Sequence, residues 1–160
     1  MCGITGFIDF GFNSSQTIVE EMGAKIQHRG PDSCGSFFET ITDYQIGFAH
    51  QRLSIIDLSK DGHQPMSLSD GSLKVVFNGE IYNYKEVRKS LQNSGAEFNT
   101  QSDTEVVLQA WKKWGKECLV HFNGMFAFAV FDSLNQKVTL VRDRAGVKPL
   151  YVYQKDDIIL

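Results

Sequence analysis

The sequence has no apolar run long enough to cross a bilayer; its longest, Met125 to Phe131, has the length of a strand. It also lacks a basic excess. Sixteen Lys and Arg stand against 19 Asp and Glu, for a net charge of -3, so nothing points to nucleic acid. No run of like charges reads as an interaction tail. Cysteine is scarce: Cys2, Cys34 and Cys118 are odd in number and without CxxC spacing, which argues against both a disulfide framework and a zinc site. His28, His50, His63 and His121 lack metal-ligand spacing too, and no metal is expected. Free thiols fit a reducing cytoplasm. The segment Met1-Cys2-Gly3-Ile4-Thr5-Gly6-Phe7-Ile8-Asp9 has neither the basic start nor the apolar length of a secretory signal, so a mature chain is the expectation. Repeats, low-complexity stretches and linkers are missing as well. With 160 residues, 42% of them hydrophobic, one domain with a real core is expected over 1–160.

What is present alternates between strand and helix patterns. Residues 3–10 read as a buried strand, and Ile18, Met22 and Ile26 after Asn13-Ser14-Ser15 read as a capped amphipathic helix. Paired strands are expected at Gly35–Thr40 and Tyr44–His50, then a loop from Gln51 to Met66. A further strand, Leu73–Phe77, follows the turn Ser69-Asp70-Gly71. Lys85–Ser94 forms a helix with Val87 and Leu91 inward, ended by Gly95. Ser102 and Glu105 form a capping-box pair for a stronger helix through Trp114. Phe126–Phe131 and Lys137–Val141 make a hairpin, and Tyr151–Tyr153 with Ile158–Leu160 a last one. Strand pairs around helices predict an α+β fold with layered sheets.

Cys2 carries the first chemical signal. Removal of Met1, easy before a small side chain, places a thiol and a free α-amine on one residue. Their reference pKa values, about 8.5 and about 7.7–8.0, let the amine accept the thiol proton near neutral pH. The competing reading is an early cysteine that is merely a small buried hydrophobe. Asn78-Gly79 reads as a two-residue turn, as an oxyanion hole built from the Asn78 amide and the Gly79 N–H, or as both. Arg52 is either a snorkelling surface side chain or a clamp for a substrate carboxylate. Asp103 either serves the helix dipole or, with Glu80, holds a ligand ammonium. An arginine for a carboxylate and an acid for an ammonium would together bind a free α-amino acid.

Seven stretches then fall in order along the chain: Met1-Cys2-Gly3-Ile4, His28–Asp32, Arg52–Asp57, Phe77–Tyr84, Ser102–Glu105, Gly124–Ala129 and Arg142–Tyr151. Together they resemble the N-terminal glutaminase domain of asparagine synthetase, a class II glutamine amidotransferase of the N-terminal-nucleophile hydrolase type. The resemblance implies a four-layer αββα sandwich, two antiparallel sheets between helical layers. It implies that Cys2 attacks the side-chain amide of L-glutamine to give a γ-glutamyl thioester and ammonia, with Asn78 and Gly79 holding the oxyanion. Arg52 would take the α-carboxylate, Asp103 and Glu80 the α-amino group, and Leu53, Ser54, Ile55 and Ile56 would line the pocket. His28–Asp32 and Arg142–Tyr151 are family signatures, expected to be shaped loops near the site.

Such domains continue into an ATP-dependent synthetase with a Ser-Gly-Gly pyrophosphate loop, and nothing similar occurs here. The expectation is a fragment, with ATP and Mg belonging to the missing part and no cofactor in this one. The ammonia acceptor stays open: aspartate, or a sugar carboxylate in related enzymes. Two further readings are an N-terminal-nucleophile hydrolase of another amide, against which Arg52 with Asp103 argues, and a silent binding domain of the same fold. The expected partners are L-glutamine and the synthetase domain, with no nucleic acid and no membrane; a homodimer is left open.

Overall fold

Every residue from Phe126 to Phe131 is buried, and a strand achieves that only with a layer packed on each face. The computed structural model describes residues 2–54 and 60–160. Among them are β1 (Gly3–Asp9), α1 (Gln16–Lys25), β2 (Ser33–Thr40), β3 (Gln45–Arg52), β4 (Met66–Ser67) and β5 (Leu73–Ile81). They continue with α2 (Tyr84–Asn93), α3 (Asp103–Trp114), β6 (Gly124–Asp132), β7 (Lys137–Arg142), β8 (Gln154–Lys155) and β9 (Ile158–Ile159). The strands form two sheets in the orders β2-β3-β1-β9-β8 and β4-β5-β6-β7, with every pairing antiparallel.

The alternation of side chains along β5 and β6 assigns each face a partner. Val75, Phe77, Phe126, Phe128 and Val130 pack with Val87 and Leu91 of α2 and Val106 and Val107 of α3. Val76, Ala129 and Phe131 point the other way and meet Ile46 and Phe48 of the first sheet. On that sheet's outer face Phe7 and Ala49 enclose Val19 of α1. The layers therefore run α1, sheet, sheet, α2 with α3, as the resemblance implies.

Three local expectations need correction. Helix α1 starts where expected, with the Ser15 side chain accepting from the Ile18 N–H, but its inner face is Val19 and Gly23, while Ile18 is exposed. Gly23 has no side chain to pack; its smallness brings the helix onto Ala49, whose Cβ would lie 3.0 Å from a Cβ added at 23. The capping box is not reciprocal. Ser102 caps the Thr104 N–H at 3.1 Å, but the Glu105 carboxylate turns back to the N–H groups of Asn99 (2.8 Å) and Thr100 (2.7 Å), securing the loop before α3. Finally, Asn78-Gly79 is not a turn. Strand β5 runs through both to Ile81, because β6 pairs with it from Asp132 down to Gly124.

The last hairpin is also displaced. Its first strand is Gln154–Lys155; Tyr153 still exchanges both backbone bonds with Leu160, at 3.0 and 2.8 Å. Tyr151 is 88% exposed. No helix among the described residues is long and apolar enough to cross a membrane.

The α1 register has a direct test. Val19→Ala should cost about 2 kcal/mol, whereas Ile18→Ala should stay within about 0.5 kcal/mol of wild type, both read from urea unfolding midpoints.

Candidate active site

Register brings the first chemical residues together. Gly3 of β1 pairs with Gln51 of β3, so Cys2, one residue before β1, lies beside the end of β3 at Arg52. The Leu53 N–H donates to Cys2 Sγ at 3.4 Å, and the thiol faces the Leu53 carbonyl at 3.6 Å. The His28–Asp32 segment frames this corner. Arg29 Nε donates to the Cys2 carbonyl at 3.2 Å, and the Asp32 carboxylate accepts from the Ser54 N–H at 2.7 Å. Gly30 lies against the backbone of Gln51 and Arg52, so closely that a Cβ there would be 2.5 Å from the Arg52 carbonyl carbon. The segment begins in a single helical turn, Gln27–Arg29, and lies against Cys2 and Arg52.

The second sheet contributes an open strand edge. β4 pairs with β5 only at Met66↔Val75 and Ser67↔Lys74. Beyond that, the side of β5 facing away from β6 has no ladder among the described residues. Phe126, opposite Gly79, directs its N–H to the Asp143 carboxylate (3.1 Å) and its carbonyl to the Asp143 N–H (2.8 Å). Gly79 is thus the non-bonded member of its pair with β6, and its N–H faces the open edge. Along that edge the Phe77 N–H is taken by Gln64 Oε1 at 2.6 Å and the Ile81 N–H by Asp103 Oδ2 at 3.1 Å. Between them, the Gly79 N–H meets no acceptor among the described residues. The residue must be glycine for a reason other than a turn: an added Cβ would fall on the Met125 carbonyl and 2.7 Å from Phe126 Cα.

These groups line one cavity of about 140 Å3. Of the expected site residues, Cys2, Arg52, Leu53, Asn78, Gly79, Glu80 and Asp103 line it; Ser54 does not, and Ile55 and Ile56 lie outside the described residues. Gly62, Gln64, Phe77, Ser102, Thr104, Met125 and Lys148 also line it and were not read as site residues from the sequence. Lys148 is 2% exposed and is delivered by the loop after β7. There Arg142 Nε donates to the Lys148 carbonyl at 2.7 Å, and the Asp143 carboxylate receives the Val147 and Lys148 N–H groups at 2.8 and 2.9 Å. Burial raises the Asp143 pKa, but the N–H donors of Lys148, Val147, Phe126 and Ala145 outweigh it and hold the group below the ordinary carboxylate range. A larger, open depression of about 820 Å3 borders α3 near Leu108 and Lys112 and contains neither cysteine nor histidine.

Burial sets the charge states around the cavity. It pushes the Asp103 carboxyl up to about 6; the Ile81 N–H opposes this and the Glu80 charge adds to it. Burial lowers His50, behind Arg52, to about 4; its bond to the Phe77 backbone resists, while the Arg52 and His63 charges assist, so the imidazole is neutral at pH 7. Cys118, in the core beside α3, is pushed up to about 12 by burial and then by Glu117, which keeps it an inert thiol. No cluster of three His, Cys, Asp or Glu placed to hold a metal occurs among the described residues.

The model of the glutamine amidotransferase domain family matches residues 1–160. The chain is 43% identical to asparagine synthetase (glutamine-hydrolyzing) 2 of Bacillus subtilis, over 94% of this chain and 20% of that protein. It is 40% identical to asparagine synthetase (glutamine-hydrolyzing) 1 of the same organism, over 94% and 24% respectively. It spans between a fifth and a third of the length of the curated relatives it matches. Among solved structures, the glutamine phosphoribosylpyrophosphate amidotransferase of Bacillus subtilis shares the fold, with a TM-score of 0.76 at 22% identity over 96% of this chain and 40% of that one.

The close backbone approach at Gly79 gives a stability test. Gly79→Ala should cost about 1–3 kcal/mol by forcing β5 away from β6, read as a lowered midpoint in thermal or urea unfolding.

Proposed function

This chain belongs to the glutamine amidotransferase domain family, and we propose that its cavity hydrolyses the side-chain amide of L-glutamine with Cys2 as nucleophile. One observation carries the reading: a cysteine at the second position and a backbone N–H, that of Gly79, with no acceptor among the described residues, border the same small cavity.

Removal of Met1 frees the Cys2 α-amine, which takes the thiol proton, directly or through a water. The sulfur then attacks the amide carbon. Charge accumulates on the amide oxygen, where the Gly79 N–H and the Asn78 side-chain amide donate to it; such preorganised donors act most strongly in a buried site. The tetrahedral species collapses, the C–N bond breaks, and the α-ammonium returns its proton to the departing ammonia. A water attacks the resulting γ-glutamyl thioester, the C–S bond breaks, and glutamate leaves with the thiol restored. The planar fork of Arg52 holds the substrate α-carboxylate. Asp103 and Glu80 hold its α-ammonium, and the segment from Leu53 through Ser54, Ile55 and Ile56 forms the adjoining wall.

The ammonia passes to an ATP-dependent synthetase part of a longer chain, of the asparagine synthetase type. ATP and Mg belong to that part, and this domain works with no cofactor of its own. The setting is the cytoplasm. Intact mass spectrometry before and after 6-diazo-5-oxo-norleucine, a glutamine-shaped electrophile, tests the reading. Loss of Met1 and one adduct mapped to Cys2 are expected; a retained Met1, or a folded protein that takes no adduct, would sink it.

Asp103 supplies a pH test. Its carboxyl is neutral below about 6 and charged above, and only the charged form attracts an ammonium. The kcat/KM for glutamine should therefore climb as pH rises through about 6, chiefly through a falling KM. Asp103→Asn should abolish that limb and raise KM by roughly 10- to 100-fold, the equivalent of one charge-assisted hydrogen bond.

A further inference from the structure

The Gln64 side chain replaces a piece of missing strand. In the register Met66↔Val75, each residue pair sums to the same number, so a longer β4 would set Gln64 opposite Phe77 and Gly62 opposite Gly79. The backbone departs instead. Gln64 Oε1 takes the Phe77 N–H at 2.6 Å, the bond that a ladder carbonyl would have taken. One step further along the edge, the Gly79 N–H borders the cavity with no acceptor among the described residues. A continued strand would have covered it.

The other end of the same amide reaches the second wall of the cavity. Gln64 Nε2 donates to Thr104 Oγ1 at 3.1 Å, and Thr104 follows Asp103, whose carboxylate takes the Ile81 N–H. Gln64 at Phe77 and Asp103 at Ile81 thus tie the edge of β5 to the first turn of α3 on either side of Gly79. Gln64 is 5% exposed, so both bonds lie away from competing water. Its backbone is seated on the first sheet. A Cβ at Gly35 would strike the Gln64 carbonyl, and one at Gly62 the Arg52 guanidinium. Both glycines let this segment lie close against β2 and the end of β3.

We infer that Gln64 is a positioning residue for glutamine hydrolysis, which fixes the aim of the Gly79 N–H relative to the amino-acid seat at Arg52 and Asp103. The inference rests on the reading of the cavity given above. It touches no reacting atom. Its contribution falls on the transition state, because the oxyanion forms only there, whereas binding through Arg52 and Asp103 is already made in the ground state. A donor displaced by about 1 Å can cost roughly 100-fold in rate.

Glutamine hydrolysis would be measured in the protein and in Gln64→Met, which keeps the length and loses both bonds. Rates are expressed per Cys2 titrated to completion by 6-diazo-5-oxo-norleucine, so that misfolded protein is not counted. We expect kcat to fall roughly 100-fold and KM to change less than about threefold. Thr104→Val, which removes only the acceptor of the Nε2 bond, should lose about tenfold, and Thr104→Ser, which keeps the hydroxyl, should restore kcat. A Gln64→Met protein with wild-type kcat per titrated site overturns the inference. So does a loss seen in KM alone. A folded wild-type protein that takes no label at Cys2 fails differently: it overturns the reading of the site on which the inference stands.

Discussion

A β-strand that outlasts its neighbour leaves backbone N–H groups with nothing to donate to, and a buried donor of that kind is costly. β5 is such a strand. It pairs with β6 along its whole length but with β4 at only two positions. Two of the exposed donors are recovered by side chains, Gln64 at Phe77 and Asp103 at Ile81. The third, at Gly79, is spent on neither. The cavity, the placement of α3 and the seat of Asp103 all follow from how this edge is finished.

The layered fold supports that edge from both sides. Phe128 and Val75 press α3 onto the outer face of the second sheet, and Phe131 with Ile46 holds the two sheets together. β1 and β3 then carry Cys2 and Arg52 to the end of the sandwich where β5 is open. The charged groups are bound as tightly as the apolar ones. Asp103 is buried with its carboxyl raised, while Asp143 is buried with its carboxyl lowered. Burial dominates at Asp103, and the Glu80 charge adds to it against the donors from Ile81, Thr104 and its own N–H, whereas the N–H donors of Lys148, Val147, Phe126 and Ala145 outweigh burial at Asp143.

The errors in reading the sequence have definite physical origins. The apolar spacing of Ile18, Met22 and Ile26 fits a helix face, but the smaller pair Val19 and Gly23 allows a closer approach to Ala49, and close packing decides the rotation of the helix. Asn78-Gly79 carries a strong local turn signal, overruled by the pairing of β5 with a strand some 45 residues later in the chain. Glu105 fits a capping box by spacing, yet Asn99 and Thr100 offer it more donors than the cap does. Gln64 gave no signal, and Lys148 stood only as one residue of the Arg142–Tyr151 signature with no role of its own; their places exist only once distant segments meet.

The sequence by itself determined the chemistry available: a cysteine at position 2, Asn78-Gly79, an arginine and two acids suited to an amino acid, in an order that identifies the family. It also determined most of the elements, because hydrophobic periodicity and the Ser15 and Ser102 caps act within a few residues. Only the tertiary structure decided which N–H of β5 remains open, which face α1 turns inward and how the buried carboxyls differ. Those depend on register and burial, which are set between segments far apart in the chain and are absent from any local pattern.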